Sequence, residues 1–213
     1  MQLFRRVPPD EAENHFRRGL YYRNRRSKEF DFDLAVEHFK EAIRLNSEIG
    51  RYHAELGKAY VAAPLLAVTH GIGNGLSLER PLDLAVNELN QALQCDLTQI
   101  ETYLVLGEAY MYMGKKQKAI DAFQLAARMP SISFIDGLFL KSYARRRLKY
   151  LEQGMLKQPQ PKVAQECIEQ AISYRNEGKC HLAEKELMEA FKLAPDWAWL
   201  YQTICKLGVK VYG

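Results

Sequence analysis

The sequence predicts an all-α protein built as a stack of antiparallel helix pairs, and two observations carry that prediction. The first is the segment from Ile100 to Ser133, where small and large apolar residues recur at helical spacing in two runs separated by Gly114. The second is the segment from Ala171 to Pro195, which repeats the same order of residue types. Such a unit cannot bury its apolar face alone, so the units must stack on one another.

The residue types in the first segment fit the packing of two helices. Helices approach to about 8–10 Å only where the side chains at the crossing are small, so we expect Gly107 on the first helix to face Ala119 on the second. Gly114 is expected to end the first helix in a left-handed conformation, and Pro130 to end the second. The pattern indicates a structural role for these residues rather than a chemical one.

The spacing of six residues resembles that of the tetratricopeptide repeat; they are Leu106, Gly107, Tyr110, Ala119, Phe123 and Ala126. This resemblance implies a right-handed superhelical stack that forms a single elongated domain over residues 1–213. Four repeats are expected, at about 12–48, 50–98, 100–133 and 164–197. The first two carry insertions between their helices, and the last has Ala171 where the family usually has glycine.

Three further segments do not fit the repeat. An inserted loop is expected at 62–80: it either extends the preceding helix, or forms a glycine flap, or contributes a self-association contact through Leu65, Leu66 and Val68. The segment 134–157 reads as one long helix, which is either the first helix of a degenerate repeat or a connector. A final helix at 197–210 is expected to cap the last apolar face.

Composition favours an ordinary soluble protein. The chain has 213 residues, 47% of them hydrophobic and 26% charged, and no apolar run approaches the roughly 20 residues of a membrane-spanning helix. The cysteines are far apart in the sequence, at Cys95, Cys167, Cys180 and Cys205. This spacing favours a reducing compartment over a disulfide framework or a zinc site, so we expect a cytoplasmic protein.

Basic residues are concentrated near the start of the chain. The first 28 residues hold eight basic and three acidic side chains, although the whole chain has a net charge of only +4. One hypothesis is an end that binds an acidic peptide, lipid headgroups or nucleic acid through Arg17, Arg18, Arg23 and Arg25. The alternative is a solvated helix face.

The resemblance implies that partner contacts come from the inner face of the superhelix, which the first helices line. The candidate contact residues at the matching positions are Arg17, Leu20, Arg23, Asn24, Arg51, Lys58, Glu101, Leu104, Val105, Glu108, Met111, Tyr112 and Arg175. One subclass of the family holds a C-terminal carboxylate with Lys and Asn, but Phe16 and Leu20 stand at the first two of those positions. The mixture instead indicates a partly apolar groove for a helix or an extended peptide.

An enzyme is the rival class of function. Catalysis needs a nucleophile, a base or a metal set brought together, and the five histidines are dispersed along the chain. We therefore expect no catalytic residues, metal, cofactor or small-molecule substrate. The sequence predicts a protein-interaction scaffold or adaptor for the assembly of a larger complex, with a basic-end adaptor for an anionic surface as the alternative.

Overall fold

The computed structural model describes residues 9–24, 29–70, 81–95, 99–130, 134–153 and 161–193, and every regular element within these ranges is an α-helix. In chain order the helices are α1 Pro9–Tyr22, α2 Phe32–Leu45, α3 Gly50–His70, α4 Pro81–Gln94, α5 Ile100–Tyr112, α6 Lys116–Arg128, α7 Phe134–Gln153, α8 Pro161–Asn176 and α9 Cys180–Leu193. The main pairs are α1 with α2, α3 with α4, α5 with α6 and α8 with α9. The predicted all-α stack of helix pairs is therefore confirmed.

A glycine on the first helix brings the two helices of each of the first three pairs close together. The spacing predicts that Gly107 faces Ala119, and the three atoms nearest to a Cβ built on Gly107 belong to the ring of Phe123, one helical turn after Ala119, at 2.7–2.9 Å. The missing side chain thus makes a slot that the large ring fills. The same arrangement recurs in the earlier pairs, with Gly19 against Phe39 and Gly57 against Leu89.

The third and last pairs have the same turn between their helices. Gly114 has φ 72° and Gly178 has φ 74°, in the left-handed region that favours glycine. The N–H of the following lysine reaches back in each case to a tyrosine carbonyl of the first helix, at 2.9 Å and 2.8 Å; the pairs are Lys115 with Tyr110 and Lys179 with Tyr174. This bond closes a Schellman motif, so the predicted left-handed end at Gly114 is confirmed.

Buried apolar side chains form two separate cores. The larger core runs through α1 to α7 and includes Phe39, Leu56 and Phe123. The smaller core lies between α8 and α9 and includes Ile168 and Leu187. From the rest of the described chain, Leu65 on α3 packs against this smaller core.

Helix α3 is longer than the other first helices of the pairs. Gly57 and Gly107 hold equivalent places in α3 and α5, so α3 continues for about two turns beyond the point where α5 ends. Residues 62–70, the first part of the predicted insertion, are therefore helical, as one of its alternatives has it, and Pro64 within them is fully buried. Residues 71–80 lie outside the described residues.

Helix α7 packs against α6 and α5, just as α5 packs against α4 and α3. It thus follows the third pair as a further first helix. The pair α8–α9 does not continue this layer, since both helices pack against α3. The end of the predicted long helix, 154–157, and the predicted capping helix, 197–210, lie outside the described residues.

Candidate functional site: the face of the first helices

Ion pairs join α1 to α3. Glu13 on α1 pairs with the Arg51 guanidinium on α3 and accepts a hydrogen bond of 3.1 Å from the Tyr52 hydroxyl. Further along α3, Glu55 lies 2.5 Å from Arg23, which directly follows α1; this is an ion pair without the alignment of a hydrogen bond. Both contacts link consecutive first helices rather than the two helices of one pair.

The same kind of contact joins α3 to α5. The Lys58 ammonium on α3 lies 2.8 Å from Glu55 on its own helix and 2.7 Å from Glu101 on α5. The side chains of Lys58 and Glu55 are 16% and 14% exposed, so water screens their attraction less than it would on an open surface. Glu55 thus pairs with Arg23, which follows α1, and with Lys58, which in turn pairs with Glu101 on α5.

Helix α7 joins this series through Tyr143 and Arg147. The Tyr143 hydroxyl donates to Glu108 on α5, and Arg147 lies 3.4 Å from the same carboxylate. Arg147 also donates to the Tyr143 oxygen at 2.9 Å and stacks over its ring. Burial, and then the Glu108 charge, raise the pKa of Tyr143 and of the neighbouring Tyr112, so both hydroxyls remain protonated donors.

We call the surface where these helices meet the first-helix face. Its members are Glu13, Arg23, Arg51, Glu55, Lys58, Glu101, Glu108, Tyr143 and Arg147. At each junction, α1 with α3, α3 with α5 and α5 with α7, at least one ion pair crosses between helices. Much of the charge on this face is therefore neutralised within the chain.

The candidate contact residues divide into two groups by burial. Those with exposed or half-buried side chains are Arg17, Leu20, Arg23, Asn24, Arg51, Lys58, Glu101, Val105 and Glu108. Those that are buried are Leu104, Met111, Tyr112 and Arg175. The first three of the buried group belong to the larger core, so they contact neighbouring helices of this chain instead of offering a surface.

Arg175 also lies apart from the others in the fold. It is on α8, which packs against α9 and α3, and its guanidinium donates to the Asn176 side chain at 2.6 Å. The structure therefore does not place Arg175 in the series α1, α3, α5 and α7. Tyr143 and Arg147, in contrast, belong to that series, although the repeat spacing did not indicate them, because the repeat pattern breaks down in α7. The run Arg145–Arg147 was the available signal.

The basic residues near the start of the chain are partly neutralised. Arg17 lies 3.2 Å from Glu13, and Arg23 pairs with Glu55. Arg18 is exposed, and Arg25 lies outside the described residues.

The described part of the chain offers neither a metal site nor a membrane span. Within it, no group of three or more His, Cys, Asp or Glu side chains is arranged to hold a metal ion. Nor does that part contain a helix with the length and apolar character needed to cross a membrane. Leu65 and Leu66, two of the residues considered for self-association, pack against the α8–α9 core and within the larger core respectively.

Comparison with known families supports the repeat assignment. Residues 100–131 match the family model described as tetratricopeptide repeat, and this segment contains α5, α6 and the glycine turn between them. Comparison with curated proteins finds no significant match. The match lies at the third pair, and the glycine slots of the first three pairs agree with it, so the chain contains a segment that matches the tetratricopeptide repeat.

Proposed function

We propose that the chain is a protein-interaction module that holds a helix or an extended segment of a partner protein along the first-helix face, as part of a larger assembly. Tetratricopeptide repeats generally mediate protein–protein interaction. The observation that supports this site is the continuity of the face, because ion pairs join α1, α3, α5 and α7 in order. A partner segment would therefore meet one extended surface.

The pairing of the charges indicates what kind of segment would fit. Glu55 and Glu108 already have basic partners within the chain, so a charged ligand would have to compete with them. Leu20 lies two helical turns after Glu13 and Val105 one turn before Glu108, so both share the side of their helix with this face; both are half-buried and leave apolar surface for contact. We therefore propose a weakly charged, amphipathic helix or an extended apolar segment as the ligand.

The test uses a partner segment selected from a displayed peptide library with the purified chain. Val105→Glu and Leu20→Glu place a charge on the first-helix face, and we expect each to weaken binding at least about tenfold, which is about 1.4 kcal/mol. The matched control is Leu125→Glu, because Leu125 is an exposed leucine on the second helix α6. Equal affinity of the Val105 and Leu125 variants would place the site elsewhere.

Substitutions at Leu104 or Tyr112 are poor probes of the site. Both side chains are buried in the larger core, so their replacement would destabilise the fold as well as any contact. Circular dichroism of the Val105→Glu and Leu20→Glu variants is needed for the same reason. A folded variant that has lost binding supports the proposal.

The alternative, a basic-end adaptor for an anionic surface, has weaker support. It depends on Arg17, Arg18, Arg23 and Arg25, and acids within the chain already pair with two of these. It predicts binding to anionic vesicles that falls steeply as salt rises and is lost on changing Arg17 and Arg18 to Glu. Flat affinity between low and moderate salt would dismiss it.

Two further expectations from the sequence concern self-association and the location of the protein in the cell. Self-association through Leu65, Leu66 and Val68 has weaker support, because Leu65 and Leu66 pack within this chain; the Val68 side chain lies outside the described residues. A cytoplasmic location is proposed because Cys95, Cys167 and Cys180 are free thiols, as in proteins of reducing compartments. We propose a binding role without catalysis.

A further inference from the structure

His53 is a buried histidine with an oxygen acceptor at each ring nitrogen. It lies on α3 and is 6% exposed. Its Nδ1 is 2.7 Å from a carboxylate oxygen of Glu88 on α4, and its Nε2 is 3.1 Å from the backbone carbonyl of Ser47 in the turn before α3. One ring thus connects three parts of the second pair.

For both contacts to be hydrogen bonds, His53 and Glu88 together must carry one proton more than a neutral ring and an ionised carboxylate have. A neutral imidazole has a single N–H, whereas a carbonyl and a carboxylate can only accept. Both contacts become hydrogen bonds if the ring carries two protons, or if the extra proton lies on Glu88 and is donated to Nδ1. In either arrangement the extra proton is held between His53 and Glu88.

We infer that His53, Glu88 and the Ser47 carbonyl form a proton-dependent clamp, which holds α3 against α4 and against the α2–α3 turn and loosens as the pH rises. Loss of the proton leaves an acceptor facing an acceptor at one of the two contacts. An unsatisfied buried polar group is unfavourable, and so is the repulsion between the two lone pairs.

The direction of the pH effect follows from the pKa of His53. The hydrogen bond to Glu88 raises this pKa above the ordinary value of 6.5, burial opposes the rise, and the Ser47 carbonyl supports it. The stabilisation is therefore fully present below pH 6.5 and is lost as the pH rises through the higher pKa of the folded state.

The surroundings add no second charge that reverses this effect. Glu88 is the charged group that contacts the His53 ring. In the described parts of α2, α5, α8 and α9, no ionisable side chain forms an ion pair or a hydrogen bond with this ring. Burial and the Glu88 charge raise the pKa of Tyr60 on α3 to about 12, so that hydroxyl stays neutral. The Cys95 thiol, at the end of α4, donates to the same Ser47 carbonyl at 3.6 Å.

His38 responds to pH in the opposite direction, so its effect differs from that of His53. His15 and His38 face each other across α1 and α2, with 2.9 Å between their Nδ1 atoms. Burial lowers the pKa of His38 from 6.5, and the neighbouring His15 and Arg18 charges lower it further. Its contribution is therefore lost as the pH falls below 6.5. Because His38 is present in both the wild-type chain and a His53 variant, this contribution cancels in the difference between them.

The clamp affects the whole stack because, among the described helices, α3 packs against the largest number of others. It packs against α2, α4, α5, α8 and α9, and it carries Glu55 and Lys58 of the first-helix face. Loosening α3 from α4 would therefore affect the stack and the docked last pair together. This inference does not depend on the proposed function.

The test compares thermal unfolding of the wild-type chain and its His53→Gln variant between pH 6 and pH 9. Glutamine cannot donate to both acceptors, so we expect the midpoint of the variant to be about 2–4 °C lower at pH 6 and the gap to close towards pH 9. Glu88→Gln should likewise narrow the pH dependence. The matched control is His181→Gln, an exposed histidine on α9, which should follow the wild type throughout.

NMR titration of the wild-type ring resonances keeps the inference testable if His53→Gln does not fold. Comparison of the wild-type and Glu88→Gln spectra assigns His53, because its resonance should shift most between them. A midpoint above 6.5 in the wild-type chain supports the clamp. A midpoint at or below 6.5, or a constant gap in unfolding temperature from pH 6 to pH 9, would overturn it.

Discussion

The stack from α1 to α7 and the last pair, α8–α9, share one local pattern and yet pack differently. In α6 and in α9 a small, a large and a small buried residue recur at the same spacing; they are Ala119, Phe123 and Ala126 in α6, and Ala183, Leu187 and Ala190 in α9. The stack has one continuous core, whereas the last pair has its own. The spacing thus determines how two helices pair, and the free edges of other helices determine where the pair docks.

Two features of neighbouring helices account for the difference. Helix α7 packs on α5 and α6, so the position next to the third pair is already taken by a single helix. The extra length of α3 offers another surface, where Leu65 contacts the smaller core. A pair that cannot continue the stack thereby buries part of its apolar surface on α3.

The largest expected effect comes from truncating the central large residue of each core. Phe123→Ala should lower the free energy of unfolding by about 3–5 kcal/mol and Leu187→Ala by about 2–5 kcal/mol, because both side chains are buried. Hydrogen exchange should separate the two: Phe123→Ala speeds exchange across α1 to α7, and Leu187→Ala only in α8 and α9. Equal acceleration everywhere in both variants would mean that the two cores unfold as one.

A smaller effect is expected from filling the glycine slot. Gly107→Val places methyl groups where even a Cβ lies 2.7 Å from the Phe123 ring, and overpacking of this kind costs about 3 kcal/mol. The control is Gly178→Ala in the last pair, where a Cβ meets open space but φ is +74°. That variant should lose only about 1 kcal/mol, from backbone strain alone. Chemical denaturation measures both, and a larger loss for Gly178→Ala would contradict the close-packed slot.

Weakening the contact between the two regions should have a more local effect. Leu65→Ala removes half-buried apolar surface against the α8–α9 core, which is worth about 1 kcal/mol. Exchange of α8 and α9 should become faster while α5 and α6 keep their protection. Leu84→Ala, at an exposed leucine of α4, should change neither. Unaltered exchange of α8 and α9 in the Leu65 variant would show that this contact does not hold the pair.

The smallest effect is expected for the charges of the first-helix face. Lys58→Met removes the ion pairs to Glu55 and Glu101, so stability should fall by about 1 kcal/mol at low salt and by less at 1 M salt. Lys40→Met, at an exposed lysine of α2, is the control and should have no measurable effect. If thermal unfolding of the Lys58 variant is equally weakened at both salt concentrations, the loss is one of packing rather than of charge.

The sequence predicted the structural features that depend only on residues close together in the chain. The glycine turn at Gly114 was evident from its place between two apolar runs, and the buried positions Ala119, Phe123 and Ala126 were evident from helical periodicity. The extension of α3 was only one of three alternatives, because Pro64 and the glycines after it favour a loop. In the structure Pro64 is fully buried within the helix, so tertiary packing offsets the missing hydrogen bond.

The candidate site was predicted only in part for a related reason. Repeat positions identify which residues of a first helix face its neighbours, but burial also depends on the helix that packs next in the stack. Met111 and Tyr112 are buried in the larger core, and Tyr112 lies near Tyr143 and Arg147 of α7. Spacing predicted α7 as a helix, but because α7 lacks the repeat pattern it could indicate neither where this helix packs nor its two contacts with Glu108.

The most direct test of binding along the first-helix face is a hydrogen-exchange footprint of the selected partner segment on the intact chain. A segment that lies along this face should slow exchange in α1, α3, α5 and α7, with α2, α4 and α6 nearly unchanged. Protection confined to the second helices, or to α8 and α9, would contradict it.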